Sequence, residues 1–557
     1  MENLAADSLA RLSADDLRGV LARLVEELGA VRANVSGLEA QVATLQKENT
    51  GLREQVATLT AENRTLKDEI ARLKDLPRRP PDKPSGMERS TEAKPGPRKK
   101  QRSRRRRGPT LPRITITEEV VLPAQAPAGS RFKGYDDIVI QDLDLRARAT
   151  RYRRERWTTP SGATVNGALP AGIVGGFGPD LQRFILALHF QGQVTTDRLT
   201  ALLNGMGVVI SKRQVVRLLA KGAQMFAAED AQVLRAGLAT APWITVDDTS
   251  ARHARRDGYT TQIGDNRFTA FRTGSSKSRA NFLSILRAGS SLHVINAAAL
   301  DYMRRRGLPE AALAALDGAS EKEFADATAF NAHLDALGVF DREAAPGPVV
   351  MAAEGAMWGA IRHQGLLEGT VVISDGAGQF RVGDHAACWV HAERLVHKLI
   401  PVTDAQRRAV DVTRQLIWWF YADLNAYRLA PCPKRAAAMR ARFDRIFTRT
   451  TGFVLLDKLL RRLHKQKVDL LRVLERPEIP LHTNGSENDI RAVVTKRKVS
   501  GGTISDAGRQ ARDVMLGLMK TCRKLGVSFF EYLGCRLDVR GAPTIPPLAQ
   551  LVQDVSR

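Results

Sequence analysis

A chain of 557 residues, 43% of them hydrophobic, is too long for one core and is expected to divide into several domains. The formal charge of +25 and pI near 10.3 point to a polyanionic partner, because clustered Lys and Arg release counterions from phosphates. The sequence holds no run of about 18 apolar residues, so no transmembrane helix is expected. The acidic start Met1-Glu2-Asn3 does not resemble a signal peptide, and Cys388, Cys432, Cys522 and Cys535 lack a CxxC pair, which fits reduced thiols in a cytoplasm.

The first 76 residues carry a heptad pattern. Leu24, Val31, Leu38, Leu45, Leu52, Leu59, Leu66 and Leu73 recur every seven residues, with Leu21, Leu28, Val35, Val42, Asn49, Val56, Asn63 and Ile70 as the companion set. Aliphatic residues, mostly β-branched from Val35 onward, at one seam position and Leu at the other favour a parallel two-stranded coiled coil, with Asn49 and Asn63 fixing register. Residues 77–112 are rich in Pro, Lys and Arg and are expected to form a disordered linker; Arg104, Arg105, Arg106 and Arg107 close its densest basic run and suit sequence-independent contact with DNA phosphates.

Residues 113–240 are expected to hold DNA. Ile114-Thr115-Ile116-Thr117 and Ile138-Val139-Ile140 alternate in strand fashion, so the first part, to about 160, is expected to be β-rich. Two helices follow, one over Thr196–Leu203 and one N-capped by Ser211, separated by Gly205-Met206-Gly207. The spacing suits a helix-turn-helix with Arg217 on its second helix, and equally an ordinary helical hairpin.

From 242 the pattern predicts strands at Trp243–Thr249, Tyr259–Ile263 and Phe268–Arg272, then Ala-rich helices over about 280–365. A strand resumes at 370–375, and helices return over 386–475 and 484–497. A further helix at 506–525 stops at Gly526, with Ala511, Met515, Leu518, Met519, Cys522 and Leu525 on one face. An antiparallel meander followed by helices and another strand is how a ribonuclease-H-like mixed sheet with helical insertions would read. Residues 241–537 are therefore expected to form the core and 538–557 a C-terminal tail.

Three acids stand out. Asp247 ends the run Trp243-Ile244-Thr245-Val246, Asp375 ends Val371-Val372-Ile373-Ser374, and Glu487 lies near the start of a basic helix. Hard divalent cations are held by a few carboxylates while keeping sites open for phosphate oxygens. Each acid also has a plain reading. Asp247-Asp248 can be an acidic pair at a strand exit, Asp375-Gly376 a turn, and Glu487 the third helical residue of a capping box on Asn484. Arg491, Lys496, Arg497 and Lys498 follow on the same helix, suited to a DNA backbone or to ion pairs on a solvated face. Cys388-Trp389-Val390-His391 is one C-x2-H unit without a second, so zinc is not expected. Trp418-Trp419-Phe420-Tyr421 reads as core packing rather than base stacking. No phosphate-binding loop of the G-x-x-x-x-G-K-[ST] type is present, so ATP is not implied.

Several blocks resemble the insertion-sequence 66 family of bacterial transposases. Val246-Asp247-Asp248-Thr249 is similar to its D-E-T block, and Ser374-Asp375-Gly376-Ala377-Gly378 to its D-G-x-x-G block. Cys388-Trp389-Val390-His391-Ala392-Glu393-Arg394 looks like C-W-x-H-A-x-R, and Asn484 to Arg491 like N-x-x-E-x-x-x-R. The resemblance implies a DDE transposase acting through two magnesium or manganese ions held by Asp247, Asp375 and Glu487. It implies DNA, as element ends and target, for a partner, with a homodimer or higher oligomer through the coiled coil and room for accessory proteins. It further implies work at the bacterial nucleoid in the cytoplasm, without a membrane. One departure is that many members carry a cysteine-rich zinc segment ahead of the core, whereas no cysteine precedes Cys388 here. A catalytically idle coiled-coil DNA-binding protein and a stand-alone nuclease such as a junction resolvase are the competing readings.

Overall fold

The computed structural model describes residues 14–73, 115–125, 127, 130–170, 172–173, 176–340 and 346–554. The basic run containing Arg104, Arg105, Arg106 and Arg107 lies outside them, as does the whole of the 77–112 linker. The heptad region is one helix, Ala14–Leu73, about 90 Å long at the helical rise. Its seam residues Leu21, Leu24, Leu28, Val31, Val35, Val42 and Leu45 are 47–65% exposed in the single chain.

Residues 115–125 and 130–155 differ from the β-rich expectation. They carry no ladder, and Ile138 and Ile140 stand 80% and 84% exposed. Alternating apolar residues make a strand only where a neighbouring strand takes up the backbone hydrogen bonds, and among the described residues none lies alongside. The short hairpin Arg156–Thr158 with Thr164–Asn166 follows.

The helical pair is formed as read. Thr196–Gly205 and Lys212–Gln224 flank a turn in which Asn204 bonds both the amide and the carbonyl of Ile210. Gly207 takes φ 87°, a conformation glycine enters without Cβ strain, and Ser211 with Gln214 closes a capping box. With Pro179–Leu186 and Ala227–Thr240, these helices share one hydrophobic cluster with the central sheet. Leu199, Val215 and Leu234 belong to the same core as Ile244, Ile263 and Met515.

The sheet has five strands: β1 (Trp243–His253), β2 (Arg256–Gly264), β3 (Thr269–Gly274), β4 (Val371–Ser374) and β5 (Asp384–Ala387). Their spatial order is β3-β2-β1-β4-β5. The β1–β2 and β2–β3 pairs are antiparallel, and the β1–β4 and β4–β5 pairs parallel. The β3-to-β4 connection holds an inserted helical block with its own core around Met303, Leu316, Phe330 and Leu334, plus a small ladder of His293–Val294 with Glu323–Phe324. After β5 a second helical block packs Trp389, Phe420, Phe443, Phe447 and Leu460 together.

The aromatic block divides. Phe420 is fully buried, while Trp418 is 38% and Trp419 60% exposed, so the core-packing expectation holds for the phenylalanine and not for either tryptophan. Successive helical residues point about 100° apart, and four neighbours cannot all face one core.

The helix Asn484–Ser500 and the helix Asp506–Lys524 close the domain, the second ending at Gly526 with φ 71°. The C-terminal stretch is no loose tail. Leu548–Asp554 is helical, Leu548 and Val552 are fully buried, and Glu229 accepts from the Leu548 amide at 2.9 Å while also holding Arg536.

Candidate active site

The parallel register pairs Trp243 with Val371, Ile244 with Val372 and Thr245 with Ile373. Continued two residues further, it brings Asp247 level with Asp375 at the carboxyl end of β4. Burial, together with the charges of Asp375 and Asp248, pushes the Asp247 carboxyl up to about 6, against a hydrogen bond from the Asp248 amide. Strand alternation sends Asp248 the other way, where it meets the Lys277 ammonium and accepts from Gln379 at 3.0 Å. Among the described residues no cation is ion-paired with Asp247 or Asp375.

Asp375 is shaped by the turn behind it. Its Oδ1 accepts from the Ala377 amide at 2.9 Å, and Gly376 at φ 93° makes the reversal that a side chain would strain. Ser374 Oγ accepts from the Gly376 amide at 3.1 Å and lies 2.8 Å from His385 Nε2. His385 Nδ1 in turn lies 3.1 Å from Asp469, an ion-pair distance off the line of a hydrogen bond. This Ser-His-Asp chain has the order of a hydrolytic triad, but Ser374 is fully buried and no substrate can reach its hydroxyl. It braces the turn that displays Asp375.

Glu487 sits in the first turn of its helix, but not in a capping box. Thr483 is the N-cap and makes no side-chain cap bond, so the expected Asn484 cap is not formed. The freed carboxylate instead lies 3.4 Å from Arg394 Nη2 and 3.7 Å from His391 Nε2. The Cys388 sulfur raises the His391 pKa more than burial lowers it, with the Asp375 charge adding to the rise. Burial pushes the Cys388 thiol up, but His391 and the Thr483 hydroxyl at 3.6 Å more than offset it. His391 also acts electrostatically on Asp247, so this imidazole lies among all three acids. Among the described residues no three acidic, His or Cys side chains are grouped closely enough to hold a metal ion. Asp247 and Asp375 are brought together; Glu487 stands across from them, engaged by His391 and Arg394.

The expected DNA contacts fall into different settings. Arg217, Arg491 and Lys498 are exposed, and Arg491 reaches Asn488 at 2.8 Å. Arg497 bonds the carbonyl and hydroxyl of Ser250. Lys496 is only 4% exposed and donates to the His189 carbonyl at 2.7 Å, with burial bringing its pKa down to about 8. The phosphate contact expected of Lys496 is therefore not open to it, because its side of the helix faces the core. Behind Glu487, Asp489 accepts from Thr269 Oγ1 and Lys524 Nζ, each at 2.7 Å, fastening the helix to β3 and to the helix Asp506–Lys524.

Sheet and site together define a mixed α/β protein whose two aspartates lie level just past the parallel β1–β4 ladder, across from the acidic start of a basic helix. The chain belongs to the transposase IS66 family, whose model matches residues 175–287 and 362–511. The unmatched residues between those spans coincide with the inserted helical block. The chain is also 56% identical over 322 residues to the uncharacterized protein y4jO of Sinorhizobium fredii, covering 58% of this chain and 99% of that protein. Membership implies a DNA-cutting and DNA-joining enzyme of transposition that binds DNA. Among the described residues no helix is long and apolar enough to cross a membrane.

Proposed function

We propose that the protein cuts and joins the ends of its own mobile element at a ribonuclease-H-like site built from Asp247, Asp375 and Glu487. One observation carries the reading: the β1–β4 register brings Asp247 beside Asp375, and neither is ion-paired with a cation among the described residues. Two oxygen-donor acids sharing an edge, one forced up to about 6 by burial and by its neighbours, have the chemistry of a site for a hard divalent cation. Asp247 and Asp375 would hold magnesium or manganese, with Glu487 completing the set. Two such ions, when bound, supply activation of water or of a DNA 3′-hydroxyl and neutralise charge developing on the phosphate.

The chain's own groups do the remaining work. Lys277 and Gln379 keep Asp248 turned from Asp247, and the Ser374–His385–Asp469 chain holds the Asp375 turn. His391 and Arg394 orient Glu487. Exposed Arg491 and Lys498 are free to follow a DNA backbone, joined by Arg217 and by the arginines at 104–107. The exposed seam of Ala14–Leu73 supports pairing of two chains, which would bring two DNA ends into one complex.

The test is cleavage of a labelled duplex carrying the element end, with magnesium or manganese. Wild type nicks at the element boundary and Asp375→Ala does not, while end binding persists. Equal nicking by Asp375→Ala would end the assignment. Tight binding by wild type without nicking would favour the idle DNA-binding protein, a reading to which the engagement of Glu487 by Arg394 lends support.

A further inference from the structure

The β1–β2 hairpin pairs as far as His253 with Arg256, leaving Ala254 and Arg255 as a two-residue loop. Both have positive φ, 49° and 65°. A two-residue hairpin turn of type I′ needs that backbone and normally obtains it from Asn-Gly or Gly-Gly. Alanine and arginine enter it only against crowding of their Cβ atoms, and such strain persists where the surroundings impose it.

Here the surroundings are the segment that follows the Glu487 helix. The Ala254 amide donates to the Thr503 carbonyl at 2.8 Å, and the Thr503 amide to the Arg252 carbonyl at 2.9 Å. His253 Nδ1 lies 3.0 Å from Thr503 Oγ1. Gly502 packs so tightly that a Cβ there would stand 2.4 Å from the Arg252 carbonyl oxygen. The tip is thus tied to the segment that leaves the helix carrying Glu487. It holds Arg252, Arg255 and Arg256 outward, all exposed, with exposed Lys498 on the adjoining helix. Among the described residues none of these four cations is in an ion pair. Asp506, an acid nearby, is engaged by His253 and Arg509, and Asp257 faces Arg252 across the ladder.

We infer that this strained tip is a clamp for duplex DNA, gripping the phosphate backbone at a fixed distance from the acid pair. Arg256 pairs with His253, which lies six strand positions from Asp247 on the same face, about 20 Å at roughly 3.4 Å per residue. Eleven helical residues separate Lys498 from Glu487, about 16 Å at roughly 1.5 Å per residue. Both elements therefore carry their cations a similar length, which is about five to six base pairs of duplex at roughly 3.4 Å each. An Asn-Gly turn would close the hairpin with less strain but would supply no cation there. The inference rests on the acid pair being a DNA-cutting site.

The experiment uses the full chain and a labelled duplex spanning the element end, with affinity followed across about 50 to 200 mM salt. The double variant Arg255→Gly/Arg256→Ala should bind several-fold more weakly, with a salt slope shallower by about 2, one for each lost phosphate contact. Backbone ethylation should interfere with wild-type binding about five to six base pairs from the cut and no longer with the variant. Arg255→Gly alone should melt at or above the wild-type temperature, since glycine takes a φ of 65° freely, so weaker binding cannot be charged to misfolding. An unchanged salt slope in the folded double variant overturns the clamp. Asp375→Ala, assayed alongside, should keep the wild-type slope and lose cleavage. Persistent cleavage there removes the active-site reading while the slope still judges the tip, and wild type that binds no duplex overturns both.

Discussion

Asp489 is where the stability of the fold and the placement of the active site meet. It is 4% exposed, two residues from Glu487, and its carboxylate takes the Thr269 hydroxyl and the Lys524 ammonium at 2.7 Å each, with Gln262 at 3.5 Å. Asp489→Ala strands a buried hydroxyl and a partly buried ammonium. Losing one member of a buried charge pair costs about 3–5 kcal/mol. Lys524 also donates to the carbonyls of Asp265 and Phe268, so its charge stays partly satisfied and the lower end, about 3 kcal/mol, is expected. Asp489→Asn, which still accepts from Thr269 but faces Lys524 with a neutral amide, should lose about 2 kcal/mol. Urea unfolding followed by circular dichroism at neutral pH measures both. Because the same carboxylate fastens the Glu487 helix to β3, each variant should also cut more slowly than its folded fraction accounts for, by about 100-fold for a displacement near 1 Å. A loss below about 1 kcal/mol together with wild-type cutting would refute the clamping role.

Two further expectations concern single side chains. Asp247 has its folded pKa raised to about 6 from an ordinary 3.8, so the folded chain binds this proton more tightly than the unfolded chain does. Stability from this group is therefore full below the unfolded value and is lost as pH rises through about 6. In the presence of a chelator, Asp247→Asn should be more stable than wild type by about 1–2 kcal/mol at pH 7.5, and the advantage should vanish near pH 4. No pH dependence in that difference would remove the charge-crowding explanation. In the aromatic block, Phe420→Ala should cost about 3–5 kcal/mol and Trp419→Ala under about 0.5 kcal/mol, as unfolding midpoints would register; equal losses would contradict the division between buried and exposed rings.

The order of elements was legible because each signal was local. Apolar runs ending in Asp marked β1 and β4, and an apolar helical face with Gly526 after it marked the helix Asp506–Lys524. What escaped depended on partners far away in sequence. The β1–β2 turn shows no glycine, asparagine or proline at Ala254-Arg255, so β1 looked as if it ended at Thr249 and β2 as if it began at Tyr259. Contacts from Thr503 are what hold the turn there, 249 residues on from Ala254. Likewise Asp469 and His385 come together only through folding, and neither lies in a pattern that announces the other. The alternation around Ile138 failed in the opposite sense, as a local strand signal without a neighbour to pair with among the described residues.

The helix Asn484–Ser500 explains why its cations cannot be treated as one row. At about 100° per residue, Arg491 lies about 40° round the axis from Glu487, and Lys498 about 20°, so these three share a stripe. Lys496 lies about 180° from Glu487 and Asp489 about 200°, on the face that also carries buried Val493. The opposite stripe is thus spent on attachment, Asp489 to the sheet and Lys496 to His189. The exposed stripe runs from an acid at the helix start to cations one and three turns on. Negative charge near a helix N-terminus and positive charge toward its C-terminus also suit the macrodipole, so this arrangement adds no electrostatic strain of its own. A polyanion lying along the stripe would meet favourable charge everywhere except at Glu487. There, on the reading proposed above, a divalent cation is needed before phosphate can approach, which makes the metal a condition for DNA to seat at the acids as well as for its cleavage.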